Sequence, residues 1–185
     1  MKFVYPDLVF TKPKDIIPRL QKGEIGVVPT DTIYGLVGSA LKPAAVSKIY
    51  RVKKRAASRP FIVLISSVSD LSLFNIKLTS RLKKFLKLVW PGEVSVILPC
   101  PDSRFSYLHR NKKTLAFRLP ADKAVRKLVR QTGPLAAPSA NPFRQPPAKN
   151  VSQAMAYFGC QVDFYLDGGT IKNKLPSILI ELKRY

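Results

Sequence analysis

Acidic residues are scarce in this chain. Its 185 residues carry 11 Asp and Glu against 32 Lys and Arg, which leaves a formal charge of +21. The few acids are scattered, so a metal enzyme that needs clustered carboxylate ligands has little to draw on. Histidine is scarcer still: His109 is the single one. His-based triads, dyads and multi-histidine metal sites therefore lack material, and His109 is expected to be a loop residue beside Arg110. The two cysteines, Cys100 and Cys160, have no metal-ligand spacing and are expected to be buried, reduced thiols. No apolar run approaches a membrane span, and the N-terminus has no signal-peptide stretch. Phosphate loops of the G-x-x-x-x-G-K-[ST] and G-x-G-x-x-G kinds are missing as well. Nor is there an internal repeat, a low-complexity tract or a linker. At 46% hydrophobic, residues 1–185 are expected to form one globular domain in the cytoplasm, with no additional C-terminal domain.

What the chain does have is positive charge. Self-repulsion of this size costs compactness, and polyanions relieve it, so nucleic acid or nucleotide phosphate is the expected partner. A basic proteome adapted to an unusual ionic milieu would give the same composition. Phosphate chemistry here must lean on Arg, Lys, hydroxyls and backbone N–H groups, with magnesium arriving on a nucleotide.

Apolar periodicity predicts helices over 14–23, 43–54, 79–90, 122–133 and 151–159. The first buries Ile16, Ile17 and Leu20; the third buries Leu82, Phe85, Leu86 and Val89. Asp122 is placed to cap the fourth, and Gly133 to end it. Short β-branched or apolar runs predict strands over 25–28, 61–66, 93–99, 114–120, 162–166 and 177–182, with a shorter one in 133–141. The irregular alternation predicts an α/β domain built on a mixed, twisted sheet.

Four stretches place small polar or cationic groups where an apolar strand meets a loop: PTDTIYGL (29–36), KKRAASRP (53–60), TLAFRLP (114–120) and APSAN (137–141). Arg118 stands out, between Phe117 and Leu119. Strand alternation turns it to the face opposite those neighbours, and an inward arginine needs an anion. An amphipathic strand with Arg118 at the surface is the other reading of that stretch. Lys53, Lys54, Arg55 and Arg59 directly precede a buried strand, and strand ends are where ligands bind in open α/β sheets. Alone, each stretch is also explained by turn and capping chemistry or by a solvated basic loop.

Together they resemble the YrdC family, the threonylcarbamoyl-AMP synthases of a tRNA anticodon-loop modification. PTDTIYGL, KKR, WPGEVS, AFRLP, PSAN and a late Pro176-Ser177 occur in the family's order, from about Asp15 to Leu182. The resemblance implies an α/β fold with flanking helices around a positively charged concave cavity. It implies an enzyme, a nucleotidyltransferase, that joins L-threonine, bicarbonate and ATP into threonylcarbamoyl-AMP and pyrophosphate. Carried over by position, Thr32, Arg118, the backbone at Ala137, and Ser177 would line the threonine pocket. Lys53, Arg55, Arg59, Thr114, Ser139 and Asn141 would face ATP, with Lys53 and Arg55 stabilising charge on the α-phosphate. Magnesium comes with the nucleotide, and neither a protein-bound metal nor an organic cofactor is implied. Partners would be tRNA or another RNA on a basic surface, together with the proteins that transfer the product to tRNA, and no membrane.

The sequence departs from the family pattern in places. Ala56 stands where the family has proline after K-x-R, and Arg59-Pro60-Phe61 replaces N-P-L or K-x-L. Leu64 occupies the position of a histidine found in longer members. Glu93 and Ser95 stand in the W-P-G-P-[LV]-T segment, and Pro142-Phe143-Arg144 follows S-A-N where Ser-Gly is usual. The chain also ends at Tyr185, before the region where many members add an arginine to ATP. No general base can be named. Two other readings stand beside the synthase: a non-catalytic YrdC-like protein that binds double-stranded RNA, tRNA or the ribosome, and a relative acting on another carbamate.

Overall fold

Capping and burial set the element boundaries close to the predicted ones. The structure, a computed structural model, describes residues 6–54, 60–172 and 174–182. The chain opens with β1 (Val9–Phe10), α1 (Pro13–Lys22), β2 (Gly26–Val28), β3 (Gly35–Ser39), α2 (Pro43–Lys53) and β4 (Ile62–Leu64). It continues through α3 (Ser80–Val89), β5 (Val94–Pro99), α4 (Ser106–His109), β6 (Thr114–Arg118) and α5 (Lys123–Thr132). The last elements are β7 (Leu135–Ala136), α6 (Val151–Phe158), β8 (Phe164–Leu166) and β9 (Ile178–Glu181). Asp122 accepts from Val125 N–H at 2.9 Å and caps α5, while Gly133 follows its last residue.

Among the described residues the strands form one nine-stranded mixed sheet in the order β1-β8-β2-β3-β7-β4-β6-β5-β9. Its inner strand β3 was not foreseen, because Gly35 and Gly38 hide the β pattern of GLVGS. Gly38 is required by packing: a Cβ there would lie 2.8 Å from Ile25 Cγ2 and 3.2 Å from the Ile49 side chain of α2. Helix α2 thus sits close against β3.

The sheet is covered unequally on its two faces. One face packs under α2, α3, α4 and α6, with Ile49, Leu86, Leu108 and Phe158 reaching Val96, Phe117 and Tyr165. The other packs under α1 and α5, where Ile16, Leu20, Leu128 and Val129 meet Val28, Val37, Leu64 and Phe164. That second cluster contains no residue of β5, β6 or β9. Among the described residues the second face is therefore left without a helix over β5, β6 and β9, three of the nine strands, and the candidate site lies there.

Two expectations fail. His109 is not a loop residue: it ends α4 and is buried, with Nε2 3.3 Å from the Asp102 carbonyl. Cys160 is exposed, where a buried thiol was expected, because the short 3-10 turn Gly159–Gln161 carries it past the end of α6. Cys100 is buried as expected, and burial pushes its thiol up to about 11.

Candidate active site

Strand register builds the site. Leu115 and Phe117 enter the core under α2 and α3, so Ala116 and Arg118 face the other way, into a cavity of about 240 Å³. Arg118 pairs with Leu64 on β4, and the same ladder sets it opposite Ser95 on β5, which pairs with Leu179 on β9. Of this row Leu64, Arg118 and Leu179 line the cavity. Its walls are Thr30, Thr32 and Ile33 on one side, Ala137, Pro138 and Ser139 on another, and Pro176 and Ser177 on a third.

Arg118 is 4% exposed and carries the charge of this cavity floor. Its Nη1 donates to Thr32 Oγ1 at 2.8 Å, and its Nη2 reaches Thr30 Oγ1 at 3.5 Å. Asp31 Oδ1 lies 3.2 Å from Nη2 as an ion pair without hydrogen-bond geometry. Burial lowers the guanidinium below its ordinary value, while Asp31 and then Glu93 oppose that shift. Arginine keeps its proton under such opposition, so the cavity holds a desolvated cation. Among the described residues Arg118 Nε is buried without a hydrogen-bond partner. Such a fork suits a carboxylate.

The hydroxyl-rich loop divides its labour. Thr30 closes the turn, donating to the Ile33 carbonyl at 2.7 Å and accepting from Thr32 N–H at 3.2 Å. Its residues 29–36 also pair with the PSAN stretch, through Leu36 N–H to the Pro138 carbonyl and Ala140 N–H to the Tyr34 carbonyl, each 2.8 Å. Tyr34 does not face the cavity: its buried phenol donates to the Gly169 carbonyl at 2.7 Å and accepts from Gly168 N–H. Thr32 alone of the two threonines is both buried and bonded to Nη1 of Arg118 at close range.

Thr32, Arg118, Ala137, Ser139 and Ser177 all line the one cavity. The Ala137 N–H is engaged by the Ile62 carbonyl at 2.8 Å. Lys53 comes from below. It is the last residue of α2, is buried, and directs its ammonium to the Ser139 and Asn141 carbonyls. It thereby holds the PSAN loop that overhangs the cavity. Asn141 accepts from Ser139 Oγ at 2.6 Å, and its amide donates to the Pro142 and Gln145 carbonyls. Thr114 shares the face of Ala116 and Arg118 but stands outside the cavity wall, four residues or roughly 13 Å from Arg118 along β6. Arg55 and Arg59 lie outside the described residues. Among the described residues no three His, Cys, Asp or Glu side chains gather as a metal site. Among the described residues no helix is long and apolar enough to cross a membrane.

Sequence reasoning passed over Ser95. It is fully buried and its Oγ lies 2.8 Å from Oγ of the cavity residue Ser177, tying the segment before β9 to β5. The signal was present: Ser95 is a polar residue between Val94 and Val96, the pattern that singled out Arg118.

The sequence profile of the Sua5/YciO/YrdC family, described as telomere recombination, matches residues 19–185. The chain belongs to the Sua5/YciO/YrdC family. Threonylcarbamoyl-AMP synthase of Bacillus subtilis is 34% identical over 152 residues, covering 81% of this chain and 44% of that protein. A protein of the same name from Nitrosococcus oceani is 31% identical over 159 residues, covering 85% of this chain and 86% of that one. The solved structure of Pyrococcus abyssi Sua5 complexed with L-threonine superposes with a TM-score of 0.85 at 27% identity, over 96% of this chain and 54% of that one. Escherichia coli YciO shares the fold, with a TM-score of 0.80 at 21% identity, over 96% of this chain and 89% of that one. The chain spans about half the length of the first curated relatives it matches, 44% and 49%. Family and fold thus agree with the resemblance drawn from the motifs.

Proposed function

We propose that this domain is an L-threonylcarbamoyladenylate synthase, a nucleotidyltransferase that converts L-threonine, bicarbonate and ATP into threonylcarbamoyl-AMP and pyrophosphate. The observation that carries the reading is Arg118, a buried guanidinium at the floor of a cavity, hydrogen-bonded to Thr32. A cavity of about 240 Å³ with one desolvated cation, several hydroxyls and apolar walls suits a small amino acid. Arg118 takes the carboxylate, Thr32 and Ser177 offer uncharged hydrogen bonds, and Ile33, Leu64 and Leu179 supply apolar contact. The relatives named threonylcarbamoyl-AMP synthase, and the Sua5 structure holding L-threonine, favour this reading over a non-catalytic RNA-binding protein.

In this reading the threonine amine and bicarbonate form a carbamate with loss of water. A carbamate oxygen then bonds to the α-phosphorus of ATP, and the bond to pyrophosphate breaks. Ser139, Asn141, Thr114, Arg55 and Arg59 are the residues assigned to the nucleotide, with Arg55 stabilising charge on its α-phosphate. Lys53 fixes the loop from which Ser139 and Asn141 project, and its charge stabilises the α-phosphate. The nucleotide brings its own magnesium. Catalysis relies largely on positioning and electrostatics. The product passes to tRNA through transfer proteins, in the cytoplasm, and the excess of basic residues binds tRNA or other RNA. Calorimetric titration of the protein with L-threonine tests the substrate assignment: saturable binding that Arg118→Ala abolishes supports it, and no binding by the wild type contradicts it.

A further inference from the structure

Asp31 has no part in the chemistry above, yet it is the carboxylate paired with Arg118. The two side chains are 7% and 5% exposed and their closest approach is 3.2 Å. A carboxylate that only shaped a turn would place both oxygens on nearby backbone donors. Here one oxygen does so across the fold: Oδ2 accepts from Ala121 N–H at 2.8 Å, 90 residues along the chain. The other, Oδ1, accepts no hydrogen bond and faces the guanidinium. Ala121 is itself held, since Arg126 Nη1 donates to the Pro120 and Ala121 carbonyls at 2.6 and 2.7 Å. Asp31 therefore spans from a fixed point beyond the end of β6 back to the arginine that ends β6.

We propose that Asp31 is a positioning residue that keeps the Arg118 guanidinium at the cavity floor, oriented for the substrate carboxylate. The proposal rests on the threonine reading of the cavity. Its physical basis is that a desolvated arginine seeks either an anion or water. With Asp31 ionised beside it, Arg118 stays down against Thr32 while the cavity is empty. Without that charge the cation turns toward the cavity mouth, and the fork no longer meets the substrate where Thr32 and Ser177 do. Misplacement of a binding group by about 1 Å costs up to ~100-fold.

The test is a double-mutant cycle on Asp31→Asn and Arg118→Ala, read as kcat/KM for threonine with ATP and bicarbonate saturating. Asn keeps an acceptor for Ala121 N–H and removes the charge. In the wild-type background Asp31→Asn lowers kcat/KM for threonine roughly 10- to 100-fold, with the KM for ATP changed less than about two-fold. In the Arg118→Ala background the same substitution changes kcat/KM less than about two-fold, since there is no guanidinium left to position. An equal loss in both backgrounds, or no loss in the first, overturns the proposal. Asp31→Glu, which keeps the charge and moves the carboxylate by one methylene, serves if Asp31→Asn does not fold; an unchanged kcat/KM for it also overturns the proposal. Urea unfolding of the same four proteins separates the two levels. No threonine-dependent turnover in the wild type overturns the substrate reading and the positioning role with it. Coupling of roughly 10-fold or more between the two substitutions in the unfolding constant would then still establish the ion pair.

Discussion

The Arg118 guanidinium donates to the Thr32 hydroxyl at 2.8 Å and joins the end of β6 to the loop between β2 and β3, 86 residues away in sequence. Around that bond one face of β5, β6 and β9 has no helix over it among the described residues, and the cavity lies there.

Arg118→Ala is expected to lower threonine-dependent turnover. Removing one partner of a desolvated charge pair costs ~2–5 kcal/mol, or roughly 30-fold to several-thousand-fold in kcat/KM. Arg118→Lys restores part of it, keeping the charge and losing the fork. Lys112→Ala is the charge-matched control, because Lys112 is exposed and lies outside the cavity. Steady-state kinetics on the three variants check this. Equal effects of Arg118→Ala and Lys112→Ala in folded protein would refute the pocket.

Lys53→Met is expected to destabilise the fold and to loosen the nucleotide side of the site. The substitution fills similar volume but strips the donor from two carbonyls, those of Ser139 and Asn141. The Ser139 carbonyl keeps the Asn141 N–H at 3.0 Å, so the Asn141 carbonyl is the acceptor that loses its donor, and the expected loss in urea unfolding is ~1–3 kcal/mol. The KM for ATP should rise more than the KM for threonine, since the loop that Lys53 holds carries Asn141.

RNA binding should be broad in sequence and steep in salt, given 32 basic residues against 11 acidic ones. Several phosphate contacts predict an affinity loss of roughly 10³-fold or more between about 50 and 200 mM salt. Filter binding or fluorescence anisotropy at graded salt measures the slope. Tight binding unaffected by salt would mean that the charge has another use.

The two thiols should differ in reactivity. Exposed Cys160 is expected to react with a water-soluble thiol reagent in the folded protein, and Cys100 only after unfolding. Buried Cys100 has its pKa raised from 9.0 to about 11, first by burial and then by Asp102. A raised pKa means that the folded state holds this proton longer than the unfolded one. The associated stability is complete below about pH 9 and is lost as pH climbs toward about 11. Cys100→Ala should therefore show a shallower fall in unfolding free energy over that window, by up to ~1.4 kcal/mol per pH unit. Equal slopes would place Cys100 in a wetter site.

Much of the fold was legible because its signals are local. Asp122 and Gly133 bracket α5 as capping rules require, and the alternation around Arg118 gave its face correctly. Strand β3 escaped because its two glycines answer to packing by α2 and to the PSAN loop, which no window of 35–39 contains. Lys53 looked like the first residue of a basic surface run; its burial depends on a helix ending at Lys53 and on carbonyls 86 and 88 residues away. Cys160 and His109 were misplaced for the opposite reason: a 3-10 turn and a four-residue helix have no periodicity to read. Ser95 carried a local signal but not its partner Ser177, and Asp31 carried neither, since its pairing with Arg118 appears only when the sheet is assembled.

The most direct measurement is pyrophosphate release from ATP by the purified protein, with bicarbonate and magnesium present and each amino acid supplied in turn. The account predicts release that depends on L-threonine, with serine poorer by the ~1–3 kcal/mol that a missing methyl contact is worth. Release that is absent with threonine, or that proceeds equally without any amino acid, would contradict it.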